Sequence, residues 1–483
     1  MRRGERRTPI GIAAGVVAAT LLLSGCSMHV DAGSAAADEA ESALSRIDGV
    51  ASVRANGTNN LPFAGTASAT VVTDDHLSDT ALHDLTDAVG RWVHGRHSTT
   101  ASIEADGYRF PVRSTAVLNA RQLAVVDGLR HDDRWIGGDV QSPTAPGTVQ
   151  PTPSIVLTVG KPADLVAGWD AVRQAGADSG WDEVEVSAEA WNAAPADVVD
   201  RYHPDFTIAE TGDTADATRG DPTAEVEAFR QVQAAYPVTA AEVRPGRVHL
   251  HVRDLADVPA ATAVVTRTAP DAVAVVDGGI VTKDDSGDPG ERPGPSAFTE
   301  VDRLAAVATR DGVTAITEKP AWLSVTATGT DTALATAAAL VAASPATSMG
   351  TIEVASSAAA LEDRGDDGLL IRGSPARFVD AVRVAAQLPD FQPARAALFA
   401  TNASVTVTVS GVDEVPALVA ALKPVLPDGT RLQVGLRGED SAASAGQLTL
   451  HGGTMTVDEP RSPAAEDETR SRLGPTVRDA WNG

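Results

Sequence analysis

Few residues in this 483-residue chain have types and spacing suited to chemistry, and each also has a plain structural reading. Cys26 is the only cysteine, so it cannot form an internal disulfide and its thiol is open to another use. His249 and His251 alternate along an expected strand and would project from one face, as half of a metal site or as a solvated strand face. His94 and His97 close an expected helix, where imidazoles suit the negative end of the helix dipole as well as they suit a ligand role. Asp284, Ser286 and Asp288 have the alternating oxygens of a calcium loop. Pro289 and Pro295, however, stand where that loop needs Gly and a bidentate Glu, which favours a flexible acidic linker.

Asp132-Asp133 and Asp366-Asp367 are carboxylate pairs with no further acid placed at a catalytic distance by the sequence. Arg364-Gly365-Asp366 spells an adhesion tripeptide of almost no specificity. Trp169, Trp181 and Trp191 form either a sugar platform or the cover of a weak core. No Gly-x-Ser-x-Gly elbow, phosphate loop or His-Glu-x-x-His pair occurs. The residues therefore imply no catalytic constellation, no metal and no cofactor.

The N-terminus is more informative. Arg2, Arg3, Arg6 and Arg7 precede an apolar run from Ile10 to Leu23, in the order of an export signal. That run falls short of the ~20 apolar residues of a comfortable membrane span. Leu23-Ser24-Gly25-Cys26 resembles the lipobox of bacterial lipoproteins. The resemblance implies cleavage before Cys26, a diacylglyceryl group on its thiol, and in some lipoproteins a further N-acyl chain. Two or more acyl chains give stable anchoring where one does not. The implied location is the extracytoplasmic face of the cell membrane. Arg6-Arg7 does not decide between the two bacterial export routes.

Removing residues 1–25 takes away four arginines and one glutamate and moves the formal charge from −26 to −29. Nucleic acid is thereby disfavoured as a partner, because phosphate binding needs clustered cations. The Ala-, Asp- and Arg-rich, Lys-poor composition resembles that of high-GC actinobacterial proteins, and 43% hydrophobic residues suffice for several cores.

These features hang on a repeated architecture. Ile47-Asp48-Gly49-Val50 is echoed by Arg310-Asp311-Gly312-Val313, and Asp79-Thr80-Ala81-Leu82 by Asp331-Thr332-Ala333-Leu334. The first copy is longer, and an insertion around residues 56–63 accounts for the difference. Helical spacing at Phe298, Val301, Leu304, Ala305 and Ala308, followed by alternating segments at 313–317 and 322–326, shows the pattern most clearly. Phe229, Phe298 and Phe378 occupy comparable places on first helices and read as core anchors.

The expected fold is α+β, built of tandem αββαβ modules, each a small sheet with two helices on one face. The expected divisions are a signal at 1–25, a tether at 26–37, and modules at 38–115, 116–210 (degenerate) and 222–281. A linker at 282–296, modules at 297–373 and 374–457, and a disordered tail at 458–483 complete the chain.

Units of this order resemble the BON modules of bacterial envelope proteins, with Val405 to Gly411 similar to their strand ending in glycine. The resemblance implies binding to membranes or envelope components. The Gly-Val signature falls after the first helix here, so a permuted ferredoxin-like module fits equally. The expectation is a non-enzymatic envelope lipoprotein, held to the bilayer through Cys26, that binds or organises an envelope protein or cell-wall polymer. A solute- or lipid-binding lipoprotein of a transport system is the first alternative, and an unrecognised envelope hydrolase the second.

Overall fold

The computed structural model describes residues 32–61, 64–96, 98–142, 152–193, 204–211, 220–284, 293–362, 368–437, 447–457 and 468–483. Leu23, Ser24, Gly25 and Cys26 lie outside these residues, as do His97, Ser286, Asp288 and the segment 363–367 that holds Arg364, Gly365, Asp366 and Asp367. The chain divides into two compact units. The first comprises residues up to 212 with 218–226 and 241–245, and the second comprises the remainder.

The first unit runs α1 (Ala32–Leu44), β1 (Val50–Leu61), β2 (Ala64–Thr73), α2 (Asp79–Val93), β3 (Thr99–Ala105) and β4 (Tyr108–Val112). It continues with α3 (Ala116–Leu129), β5 (Trp135–Gln141), β6 (Ser154–Val159), α4 (Leu165–Asp178), β7 (Glu185–Ala190) and β8 (Phe206–Ala209). Helix α5 (Thr223–Ala235) and strand β9 (Val238–Arg244) contribute residues to both units.

The second unit holds β10 (Arg247–Val252), α6 (Val258–Thr268), β11 (Val273–Gly278), β12 (Val281–Lys283), α7 (Thr299–Ala308), β13 (Val313–Lys319) and β14 (Trp322–Ala327). There follow α8 (Thr330–Ala342), β15 (Thr351–Ala355), the single turn α9 (Ala358–Leu361), β16 (Leu369–Gly373), α10 (Pro375–Ala385), β17 (Ala394–Leu398) and β18 (Ala403–Val409). Helix α11 (Val415–Leu422), β19 (Arg431–Leu436), β20 (Gln447–His451), β21 (Thr454–Val457) and α12 (Glu468–Asn482) complete it.

The α+β class with repeated units is therefore observed. Its true period is shorter than expected: one helix followed by one antiparallel hairpin. In the first unit β1–β2, β3–β4, β5–β6 and β7–β8 are antiparallel, while β2–β3, β4–β5 and β6–β7 are parallel across a helix. The second unit repeats the alternation from β13 to β19. Helix α2 touches α3 and α3 touches α4, so these helices share one face of the sheet. Successive crossovers advance the same way across that face along strands of opposite direction, so their hands must alternate. Every second one departs from the usual right-handed rule.

Local chemistry explains the echoed landmarks. Gly49 and Gly312 have φ of 87° and 82° and turn the chain from helix into the first strand of a hairpin, a conformation that favours glycine. Ser78 accepts a hydrogen bond from Ala81 N–H and caps α2, whereas α8 begins behind Gly329 with no side-chain cap. The longer first copy is a longer hairpin, with 12 and 10 residues in β1 and β2 against 7 and 6 in β13 and β14.

Two boundaries change. Residues 32–37, expected as tether, belong to α1, where Ala37, Ala40 and Leu44 are buried at helical spacing. Residues 468–482, expected as disordered tail, form α12. Leu473, Val477 and Trp481 lie four apart on one face and enter the core of the second unit. Phe298 and Phe378 are buried in that core as expected, and Phe229 is also fully buried.

Candidate functional site

Alternation along the strands of the second unit divides apolar from polar side chains. Leu323, Val325, Ile352, Val354, Ile371, Ala396 and Leu398 enter the core beneath the helices. The alternate positions Trp322, Ser324, Glu353, Arg372 and Arg395 occupy the other face. Register brings several of them side by side: Ser324 lies opposite Glu353, and Glu353 opposite Arg372.

These residues form one patch. The Trp322 ring has Lys319 Nζ at 5.4 Å and the Arg372 guanidinium at 5.2 Å from its centroid, and the same guanidinium lies 5.8 Å from the Phe399 ring. Glu353 has a side chain only 5% exposed, with Arg372 Nε 3.7 Å from its carboxylate. Burial pushes its pKa up, against the charge of Arg372, the nearby Trp322 indole N–H and the charge of Arg395. Lys319 is tied to Asp284 at 2.6 Å.

Glu353 is the acceptor at the centre of the patch: the Trp322 indole N–H and Arg372 Nε both face its carboxylate, and Ser324 Oγ is the buried polar atom here that no side chain meets.

His249 and His251 do share a face, as their alternation implied. Their ring nitrogens meet the carboxylate of Asp277 on the parallel neighbour strand, at 3.3 Å from His249 and 2.7 Å from His251. Asp277 is fully buried and also accepts from Lys283 N–H. Burial pushes its pKa up, but the hydrogen bonds from the two histidines carry it below the ordinary value. His251 is raised by its bond to Asp277, against burial. The three side chains satisfy one another and do not converge on an open point. Among the described residues, no group of three or more His, Cys, Asp or Glu could hold a metal ion.

The remaining sequence candidates are structural where they are described. His94 caps the end of α2 through its backbone N–H, Asp284 pairs with Lys319, and Asp132 binds Arg134. Trp169 is 1% exposed, and Trp181 and Trp191 are 8% exposed, which is core cover and no platform.

Sequence reading missed Trp322, Ser324, Glu353, Arg372 and Asp277. The available signal was a single charge inside an otherwise apolar strand, as in Ile352-Glu353-Val354 and Leu370-Ile371-Arg372. It also missed Arg130 in the first unit, whose side chain is 1% exposed and bridges Asp79 and Asp106. Comparison with family models, curated proteins and solved structures finds no match, so function rests on these residues.

Proposed function

We propose that the chain is an exported lipoprotein, held at the extracytoplasmic face of the membrane by a diacylglyceryl group on Cys26, whose repeated helix-hairpin units bind an envelope component. The observation that supports binding is the patch around Trp322. It gathers an aromatic ring, two cations and a buried carboxylate on the sheet face opposite the helices. A BON-like or ferredoxin-like envelope module fits the same reading, since both offer an open sheet surface.

The carrier alternative needs a concave, largely enclosed pocket. The groove of ≈ 490 Å³ along Asp38, Glu41, Ser42, Ser45, Ser52 and Val53 is open and offers mainly carboxylates and hydroxyls. The hydrolase alternative needs a base that activates a nucleophile, whereas Glu353, between Ser324 and Arg372, is engaged by the Arg372 guanidinium.

The test has two arms. Full-length protein made in a bacterial host should partition with membranes, and Cys26→Ala should shift it to the unacylated fraction. Mature protein should co-sediment with isolated envelope material. Absence of co-sedimentation defeats the binding reading, and membrane partition unchanged by Cys26→Ala defeats the anchor.

A further inference from the structure

The first helix is fastened to the closed end of the first hairpin. Gly33, in the opening turn of α1, donates its N–H to Asn59 Oδ1 at 2.6 Å. The backbones approach so closely that a Cβ on Gly57 or Gly65 would have no room against Gly33. From there α1 carries the chain to Leu44 and on to Val50, at the open end of the hairpin, where Val50 lies opposite Thr73. Cys26 precedes Ala32 by six residues, and six residues reach at most about 22 Å. A lipid on Cys26 is therefore leashed to the closed end of the hairpin and not to its open end.

The closed end also stands clear of the sheet. Strand β3 pairs with β2 only from Ala67 onward, so the pairs Thr58–Thr66 and Asn59–Gly65 extend past the neighbouring strand. Thr58, Asn59 and Thr66 are exposed.

Charge is divided between the two ends. From Ala55 to Thr73 the chain has no charged residue, although 22% of all its residues are charged. Beside the closed end, the last turn of α2 places Arg91 in solvent, and Arg96 pairs with Glu39 of α1 at 3.0 Å. The loop that carries Arg96 is held to β2 by Ala67 N–H donating to Ser98 C=O. Around the open end Asp48, Asp74, Asp75 and Asp79 are all exposed. A chain of formal charge −26 is repelled by anionic lipid wherever it presents carboxylates, whereas an uncharged arm flanked by arginine is not.

We propose that the closed end of the β1–β2 hairpin, Thr58, Asn59 and Thr66 with Arg91 alongside, is the surface on which the first unit rests against the lipid headgroups. Hydroxyl and amide groups there meet phosphate and ester oxygens, and the acidic open end points away from the bilayer. The proposal rests on the Cys26 anchor above and adds the face that the first unit turns to the membrane.

The experiment uses the full acylated chain in vesicles of phosphatidylcholine and phosphatidylglycerol. Cys26 is the only cysteine, so once it is acylated an introduced cysteine is the sole thiol open to a dye. Thr58→Cys, Thr66→Cys and Ala51→Cys, all at exposed positions, each receive an environment-sensitive dye, and nitroxide-bearing lipid serves as quencher. Ala51 is on the same strand as Thr58, about 23 Å away. The expected result is that the dyes of Thr58→Cys and Thr66→Cys lose at least half their emission while that of Ala51→Cys loses under a tenth. Adding Arg91→Glu should reduce the quenching of the Thr58→Cys dye at least twofold.

Equal quenching of all three dyes, or none in protein that floats with the vesicles, overturns the surface and leaves the anchor standing. A Thr58→Cys dye unquenched in vesicles yet shielded from iodide in native membranes assigns the arm to a protein partner and likewise overturns it. If the chain does not float with the vesicles at all, the anchor fails and the surface falls with it.

Discussion

The side-chain amide of Asn482 bonds both backbone groups of Met455. Met455 N–H donates to Asn482 Oδ1, and Asn482 Nδ2 donates to Met455 C=O, both at 2.9 Å. Strand β21 pairs only with β20 among the described residues, so Met455 belongs to an edge strand, and the groups bound by Asn482 are those facing away from β20. The side chain of Asn482, the last residue of α12, thus stands in for the next strand. The Trp481 indole Nε1–H donates to Gly453 C=O at 3.3 Å and Lys423 Nζ donates to Trp481 C=O, which fixes the helix in place.

Open strand edges template association, and proteins block them. Asn482→Ala should therefore lose about 1–2 kcal/mol of stability in the second unit, from two hydrogen bonds. Removal of residues 468–483 should produce concentration-dependent self-association as well. Sedimentation velocity checks this, and a truncated chain that stays monomeric at high concentration contradicts it.

Stability should fall as pH rises from about 4.5 toward 8. Burial, helped by Asp139 and opposed by Arg244, pushes the Glu189 pKa up to about 7 in the first unit. Burial and the neighbouring Asp302 push Glu318 well above the usual carboxylate range in the second. An acid whose folded pKa is raised stabilises fully below its unfolded value and loses that contribution as pH climbs through the folded one. His251, raised by its hydrogen bond to Asp277, likewise contributes fully below its ordinary value and loses that contribution as pH climbs through the folded one. A tenfold change in proton affinity is worth about 1.4 kcal/mol, so Glu189 alone is worth on the order of 3 kcal/mol. Urea melts at pH 5 and pH 8 should show the difference, and Glu189→Gln should remove part of it. Equal stability at both pH values contradicts the assignment.

Arg130 should be the most sensitive charged position of the first unit. Its guanidinium bonds Asp106 at 2.9 Å, the backbone of Leu77 at 2.8 Å and Asp79. Removing one partner of a buried pair leaves the other charge uncompensated, at a cost of about 3–5 kcal/mol. Arg130→Met should approach that loss in chemical denaturation, whereas Arg54→Met should cost under about 1 kcal/mol, because its pair with Glu104 is exposed.

Much of this fold was legible in the residues. Helical spacing at Phe298 to Ala308 and the Asp-Gly-Val landmarks located real helices and real turns, because a glycine at positive φ marks a hairpin entrance whatever packs on it. The half-length period was hidden because parallel and antiparallel neighbours share the same alternation of side chains. Helix α12 was missed because its apolar residues are few and only burial against α11 and β21 gives them purpose. The Trp322 patch was unreadable for a related reason: Trp322, Glu353 and Arg372 lie on three strands whose adjacency is set by register, not by sequence distance. The histidine pair was visible, but its partner Asp277, 26 residues away from His251, was not.

Hydroxyl-radical footprinting of the mature chain, with and without isolated envelope material, tests the central claim most directly. The account predicts that Trp322 and Phe399 become protected, while exposed Val379 on α10, on the helical side, keeps its reactivity. Protection of Val379 without Trp322 and Phe399, or no protection anywhere, would contradict a binding surface on the face opposite the helices.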